Sequence, residues 1–224
     1  MNETSYKIGI IDDDETKITP IITGLIKGCK NENGDIKNEK YNNYILKPVE
    51  IKLFSDIQGI VENVVDNRLD AIIIDYELRS YSKVDFTGVQ LANALEERLY
   101  GFPVFILTSY EEQLFSQELF NSYQVFDYDR YLNEESERIE LNYKIIEQVN
   151  KYYKEKQKWE EELLLLLDKA DENVAVDERI IELDKRLEKS IDGQSLIPTK
   201  LKRELTSDKV SELIEQIDKI MKSE

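Results

Sequence analysis

The chain has 224 residues, 41% of them apolar and 34% charged; that is enough for one substantial core with a small second module, and the apolar residues are too periodic for general disorder. Its 47 acids against 30 bases leave a net charge of −17, which repels phosphate backbones and anionic bilayers and argues against nucleic acid or membrane partners. With no histidine and a single cysteine, Cys29, imidazole metal sites, the serine–histidine–aspartate triad and an internal disulfide are all excluded, so any chemistry rests on carboxylates, hydroxyls and cations.

Met1 leads into Asn2-Glu3-Thr4 with no basic, apolar leader, and no apolar run reaches membrane-spanning length, so a cytoplasmic location is expected. Residues 6–11 read as a first strand that runs into Asp12-Asp13-Asp14. Ile18, Ile21, Ile22, Leu25 and Ile26 then keep a helical period up to Gly28. The Asn-, Lys- and Tyr-rich stretch 31–47 reads as loop or insertion, and Val49–Phe54 alternates as a second strand. A second helix follows on Ile57, Ile60, Val61, Val64 and Val65.

The stretch Asp70-Ala71-Ile72-Ile73-Ile74-Asp75-Tyr76-Glu77 organises the reading. A short Ile run bounded by charge reads as a strand buried on both faces, the habit of parallel sheets covered by helices. A polar loop through Asp85 precedes a helix opened by Gly88, and Pro103–Leu107 makes a fourth strand that stops at Thr108-Ser109. A helix over Glu111–Ser122 and a fifth strand around Val125–Tyr128 complete five β/α units, the pattern of a parallel sheet with right-handed crossovers.

From Ser136 a long helix places Ile139, Tyr143, Ile146, Val149 and Tyr153 on a sheet-facing stripe. Beyond it the stripe weakens; Leu163–Leu167 is continuously apolar and reads as core or an intrachain helix contact, with Trp159 and Tyr152 as packing residues. A break at Ala170–Asn173 separates this helix from helical spacing over Asp177–Lys189 and, after a link containing Gly193 and Pro198, over Ser207–Lys222. The expected division is therefore 1–153 and a helical extension, 154–224, which carries no basic recognition helix.

Two strands deliver acids to one edge of the sheet, where open α/β sheets bind ligands, and converging carboxylates suit a hard divalent cation. The acidic pair Asp12-Asp13, the strand-end Asp75, the strand-end Thr108 and the Thr87-Gly88-Val89-Gln90-Leu91 helix opening, in that order, resemble the receiver domain of bacterial response regulators over residues 5–153. The resemblance implies a flavodoxin-like, doubly wound α/β fold with strand order 2-1-3-4-5. It further implies that Asp75 accepts a phosphoryl group from the phosphohistidine of a histidine kinase, and that Mg²⁺ is held by Asp13, Asp75 and the backbone carbonyl of Glu77, with Asp12 orienting its water shell. Thr108 would donate its hydroxyl to a phosphoryl oxygen.

The sequence departs from that family at the lysine expected after strand five. The usual spacing from Thr108 lands on Arg130, whose planar fork differs from a compact ammonium, and a one-residue slip would put Tyr131 there. Further departures are the insertion before strand two, a long Asp75-to-Gly88 loop without the expected proline, and Asp127 near a position that is often aromatic. The resemblance leaves open a receiver that signals to an effector protein, self-associates through its C-terminal helices, or buffers phosphate without output. A different class is an unphosphorylated pseudo-receiver serving as adaptor or dimerisation module. A Mg²⁺-dependent phosphatase ranks last, because Glu77 stands where its second aspartate would be.

Overall fold

The computed structural model describes residues 3–109, 124–167, 169 and 174–192. The expected helices over Glu111–Ser122 and Ser207–Lys222, the break at Ala170–Asn173 and the Gly193/Pro198 link lie outside these residues. The chain divides into two compact units, Met1–Tyr152 and Tyr153–Glu224.

The first unit is built on five strands, β1 (Thr4–Ile11), β2 (Tyr44–Glu50), β3 (Ala71–Ile74), β4 (Val104–Thr108) and β5 (Val125–Asp127). All four ladders are parallel, and the order is β2-β1-β3-β4-β5, a flavodoxin-like α/β sheet. Its helices are α1 (Glu15–Lys27), α2 (Ile57–Asp66), α3 (Gly88–Arg98), α4 (Tyr128–Asn133) and α5 (Glu135–Leu167), the last of which contributes residues to both units.

The two-residue period of the strands divides the core. Ile8, Ile10, Ala71, Ile73, Phe105, Leu107 and Phe126 form one buried cluster with Ile18, Ile21 and Leu25 of α1 and Leu141, Ile145, Ile146 and Val149 of α5. Ile11, Ile72, Ile74, Val104, Ile106 and Val125 form the other with Ile60, Val61 and Val64 of α2 and Leu91, Ala92 and Leu95 of α3. Both faces of β3 are therefore apolar, and every one of its residues is buried. The chain leaves β1 toward β2 and leaves β3 toward β4, so the crevice between the C-terminal ends of β1 and β3 is the topological switch point of the sheet.

The second strand begins earlier than its alternation predicts, at Tyr44 rather than Val49, and ends at Glu50. It is an edge strand that contains Pro48, which masks the signal. The Ile51 N–H donates to the Ile10 carbonyl at 2.9 Å, so odd-numbered residues turn their amides toward β1 and the position of Pro48, which has no N–H, faces the outer edge.

Helix α1 starts on Asp14, whose carboxylate accepts from the Thr16 N–H at 2.9 Å, and stops at Gly28 with φ +60. Its last carbonyls are met from α5. Buried Arg138 donates to the carbonyls of Gly28 (2.8 Å) and Lys30 (2.6 Å), and buried Asn142 donates to those of Gly24 (3.1 Å) and Gly28 (2.7 Å). The face of α5 turned inward thus differs from the expected stripe: Leu141, Ile145 and Tyr152 are buried beside Ile139, Ile146 and Val149, whereas Tyr153 is exposed. The shift follows from Arg138 and Asn142, polar residues that periodicity assigns outward but that the end of α1 draws inward.

In the second unit, residues 153–167 of α5 run antiparallel to α6 (Val174–Asp192): Glu162 pairs with Arg179 at 2.7 Å and Trp159 carries the Arg186 guanidinium over its ring at 5.9 Å. Leu164, Leu165 and Leu167 are exposed, which corrects the reading of Leu163–Leu167 as core. A run of five apolar residues circles a helix, so one face alone cannot bury it.

Candidate functional site

The acids at the switch point are placed by the backbone before their side chains act. Ile11 and Ile74 are ladder partners, and the Asp75 N–H donates to the Ile11 carbonyl at 2.9 Å, so Asp12 and Asp75 are the next residues on adjacent strands. The start of α3 presses on the same point. A Cβ at Gly88 would stand 2.0 Å from the Asp75 carbonyl oxygen, and the Gly88 N–H donates to the Tyr76 carbonyl at 2.8 Å. Only glycine allows that approach. The Thr87–Gln90 capping box then fixes the helix entry.

One carboxylate oxygen from each of Asp12, Asp13 and Asp75 lies within 4.8 Å of the others. Asp12 accepts from the Asp14 N–H at 2.9 Å, and Asp13 accepts at 2.5 Å from the N–H of Tyr81 in the β3–α3 loop. Asp75, 3% exposed, accepts from the Glu77 N–H at 3.2 Å through Oδ2, while its buried Oδ1 has no hydrogen-bond partner among the described residues. Burial, with the Asp75 charge second, pushes the Asp12 carboxyl up to about 7. Burial also raises that of Asp75, against the pull of Lys17.

Lys17, in the first turn of α1, was not singled out by the sequence. Its ammonium stands 3.5 Å from Asp75 Oδ2 and 5.5 Å from the centre of the Tyr128 ring at the end of β5. Burial lowers its pKa, but the charges of Asp75, Asp12 and Asp14 outweigh that and the net shift is upward. A signal for it exists in the sequence: a cation in a helix's first turn opposes the macrodipole, and here it follows an otherwise acidic opening, Asp12-Asp13-Asp14-Glu15.

The remaining expected residues are held as follows. Thr108 is fully buried as the last residue of β4, the strand beside β3. Glu77 gives Asp75 its backbone N–H and turns its carboxylate to Arg79 at 3.0 Å. Arg130 lies within α4, about half exposed, and pairs with Glu134 at 3.3 Å and with Glu137. Asp127, level with Thr108 across the β4–β5 ladder, caps α4 by accepting from the Arg130 N–H at 2.7 Å. Tyr131 is buried against Gly24.

Three convergent carboxylates, hard oxygens all, could hold a hard divalent cation such as Mg²⁺, and one of them has a buried oxygen that no donor among the described residues satisfies.

No family model matches the chain, and no curated protein matches it. Among solved structures, one described as a yeast Spc42 trimeric coiled-coil, amino acids 181–211, in a fusion, is 18% identical over 84% of this chain and 95% of that chain, with a TM-score of 0.39. A likeness at that score carries no argument about this fold or its function. Among the described residues, no helix is long and apolar enough to cross a membrane.

Proposed function

We propose that the chain is a phosphorylation-dependent signalling receiver that accepts a phosphoryl group on Asp75 from a histidine kinase. The observation that carries the reading is the convergence of Asp12, Asp13 and Asp75 at the switch point, with Oδ1 of Asp75 buried and unsatisfied among the described residues. In the transfer, an Asp75 carboxylate oxygen attacks phosphorus as the donor's P–N bond breaks; the electron pair leaves on the imidazole nitrogen, which takes a proton from water. Asp12, Asp13 and Asp75 would hold Mg²⁺, with the Glu77 carbonyl as a further oxygen. Mg²⁺, when bound, supplies positive charge that offsets the repulsion between an anionic donor and a site of three carboxylates.

The chain's own groups do the rest. Gly88 and the Ile11 carbonyl fix the backbone of Asp75, and the Glu77 N–H orients its Oδ2. Thr108, the last residue of β4 beside β3, would donate its hydroxyl to a phosphoryl oxygen and carry the change to the neighbouring surface. The described part of the extension presents exposed Leu164, Leu165 and Leu167, which suits an effector protein or self-association through these helices; with neither, the chain buffers phosphate. A cytoplasmic setting goes with this reading.

Incubation with Mg²⁺ and acetyl phosphate is expected to add one phosphoryl group by intact-mass measurement, and none to an Asp75→Asn chain. No Asp75-dependent gain overturns the reading. A specific observation favours the alternative, an unphosphorylated adaptor: the Arg130 guanidinium is engaged by Glu134 and Glu137, and Asp127 is taken up in capping α4. Partner binding unchanged by Asp75→Ala and by phosphodonor would select it.

A further inference from the structure

The site's charges do not balance around an incoming phosphoryl group. Three carboxylates meet there, a dication offsets two of them, and the transferred group brings more negative charge of its own. A further cation beside Asp75 would offset that charge, and among the described residues the ion pair made by Asp75 is with Lys17.

Three independent features show that Lys17 is placed for this site rather than for the helix that carries it. It occupies the first turn of α1, where a positive charge opposes the helix dipole. Its side chain is 21% exposed and reaches back to Asp75 Oδ2 at 3.5 Å instead of extending into water. Its ammonium lies 5.5 Å from the centre of the Tyr128 ring, an aromatic contact beside its pairing with Asp75. The ordering of α1 is secured separately by Asp14, which caps it through Thr16, so the helix does not require Lys17.

Resting on the receiver reading, we infer that Lys17 is the cation that binds the phosphoryl group transferred to Asp75. In the unmodified protein its ammonium neutralises Oδ2 of Asp75. On transfer an Asp75 oxygen bonds to phosphorus, and the ammonium passes from the carboxylate to the phosphoryl oxygens on the same side chain. With acetyl phosphate as donor the P–O bond to acetate breaks, acetate leaves with the electron pair, and no proton changes hands. A lysine contributed by α1 couples the first turn of that helix to the state of Asp75, a different route from one through the end of β5.

The test uses the full chain as wild type, Lys17→Met and Lys17→Arg, with acetyl phosphate and Mg²⁺ as probes and melting temperature as the fold control. Lys17→Met keeps the length of the stem on Tyr128 and removes the charge. It is expected to slow Asp75 labelling at least about tenfold, while Mg²⁺ affinity measured by calorimetry stays equal or rises, because a competing cation has gone. Lys17→Arg is expected to recover labelling to within about threefold of wild type. Labelling of Lys17→Met at the wild-type rate overturns the inference and leaves the receiver reading standing. Loss of Mg²⁺ binding together with labelling also overturns it, since Lys17 would then be supporting the acids rather than the phosphoryl group. If wild type binds Mg²⁺ and takes no phosphoryl group, all three chains behave alike and the receiver reading itself falls, with this inference.

Discussion

Asp12 carries a burial cost. Its carboxyl is 8% exposed and pushed up to about 7, so the folded chain keeps a proton there that the unfolded chain releases near 3.8. Stability from this group is therefore full below 3.8 and lost as pH rises through about 7. Asp12→Asn retains an oxygen for the Asp14 N–H and removes the buried charge. Without metal at pH 8, this variant should melt roughly 3–8 °C above wild type, and the gap should close at acid pH; calorimetry that finds no gap refutes this. Added Mg²⁺ should narrow the gap from the wild-type side. Asp12, Asp13 and Asp75 were legible in the sequence because each follows an apolar run whose end a carboxylate marks. Lys17 was marked only by its place after an otherwise acidic helix opening, and its approach to Asp75 depends on which way α1 leaves β1; spacing counted along the chain leads to Arg130 but does not register that Asp127 starts a helix there.

Among the elements, the α1–α5 junction shows how polar residues specify packing. The last carbonyls of a helix need donors, and Arg138 and Asn142 supply them from α5 in place of water. The negative end of α1 also offsets the buried guanidinium. Arg138→Met keeps much of the volume but leaves the carbonyls of Gly28 and Lys30 without those donors; it should cost about 2–3 kcal/mol, read as a lower denaturant midpoint at unchanged slope. An effect under about 0.5 kcal/mol would show that solvent replaces the guanidinium freely. The central strands were readable because burial on both faces leaves an unbroken apolar run, as in Ala71–Ile74. β2 was displaced because an edge strand has one neighbour and so a weaker pattern, here interrupted by Pro48.

On the scale of the whole molecule, a net charge of −17 sets a background repulsion that the folded chain feels more than the expanded one. Raising ionic strength from about 0.01 M to about 0.15 M shortens the screening length from about 30 to about 8 Å. The melting temperature should rise over that range with a monovalent salt, and Mg²⁺ should add a further rise that Asp75→Asn and Asp12→Asn diminish. A melting temperature indifferent to salt would mean that repulsion is already balanced locally by pairs such as Arg179–Glu162.

The amide missing from Pro48 has an effect beyond the register of β2. A sheet border that lacks one link in its outward row of donors is a poor template for a foreign backbone, and the lysines Lys47 and Lys52 on either side of the gap add charge to the same rim. Stacking of copies border to border, the route to fibrils, is thereby discouraged along the β2 edge.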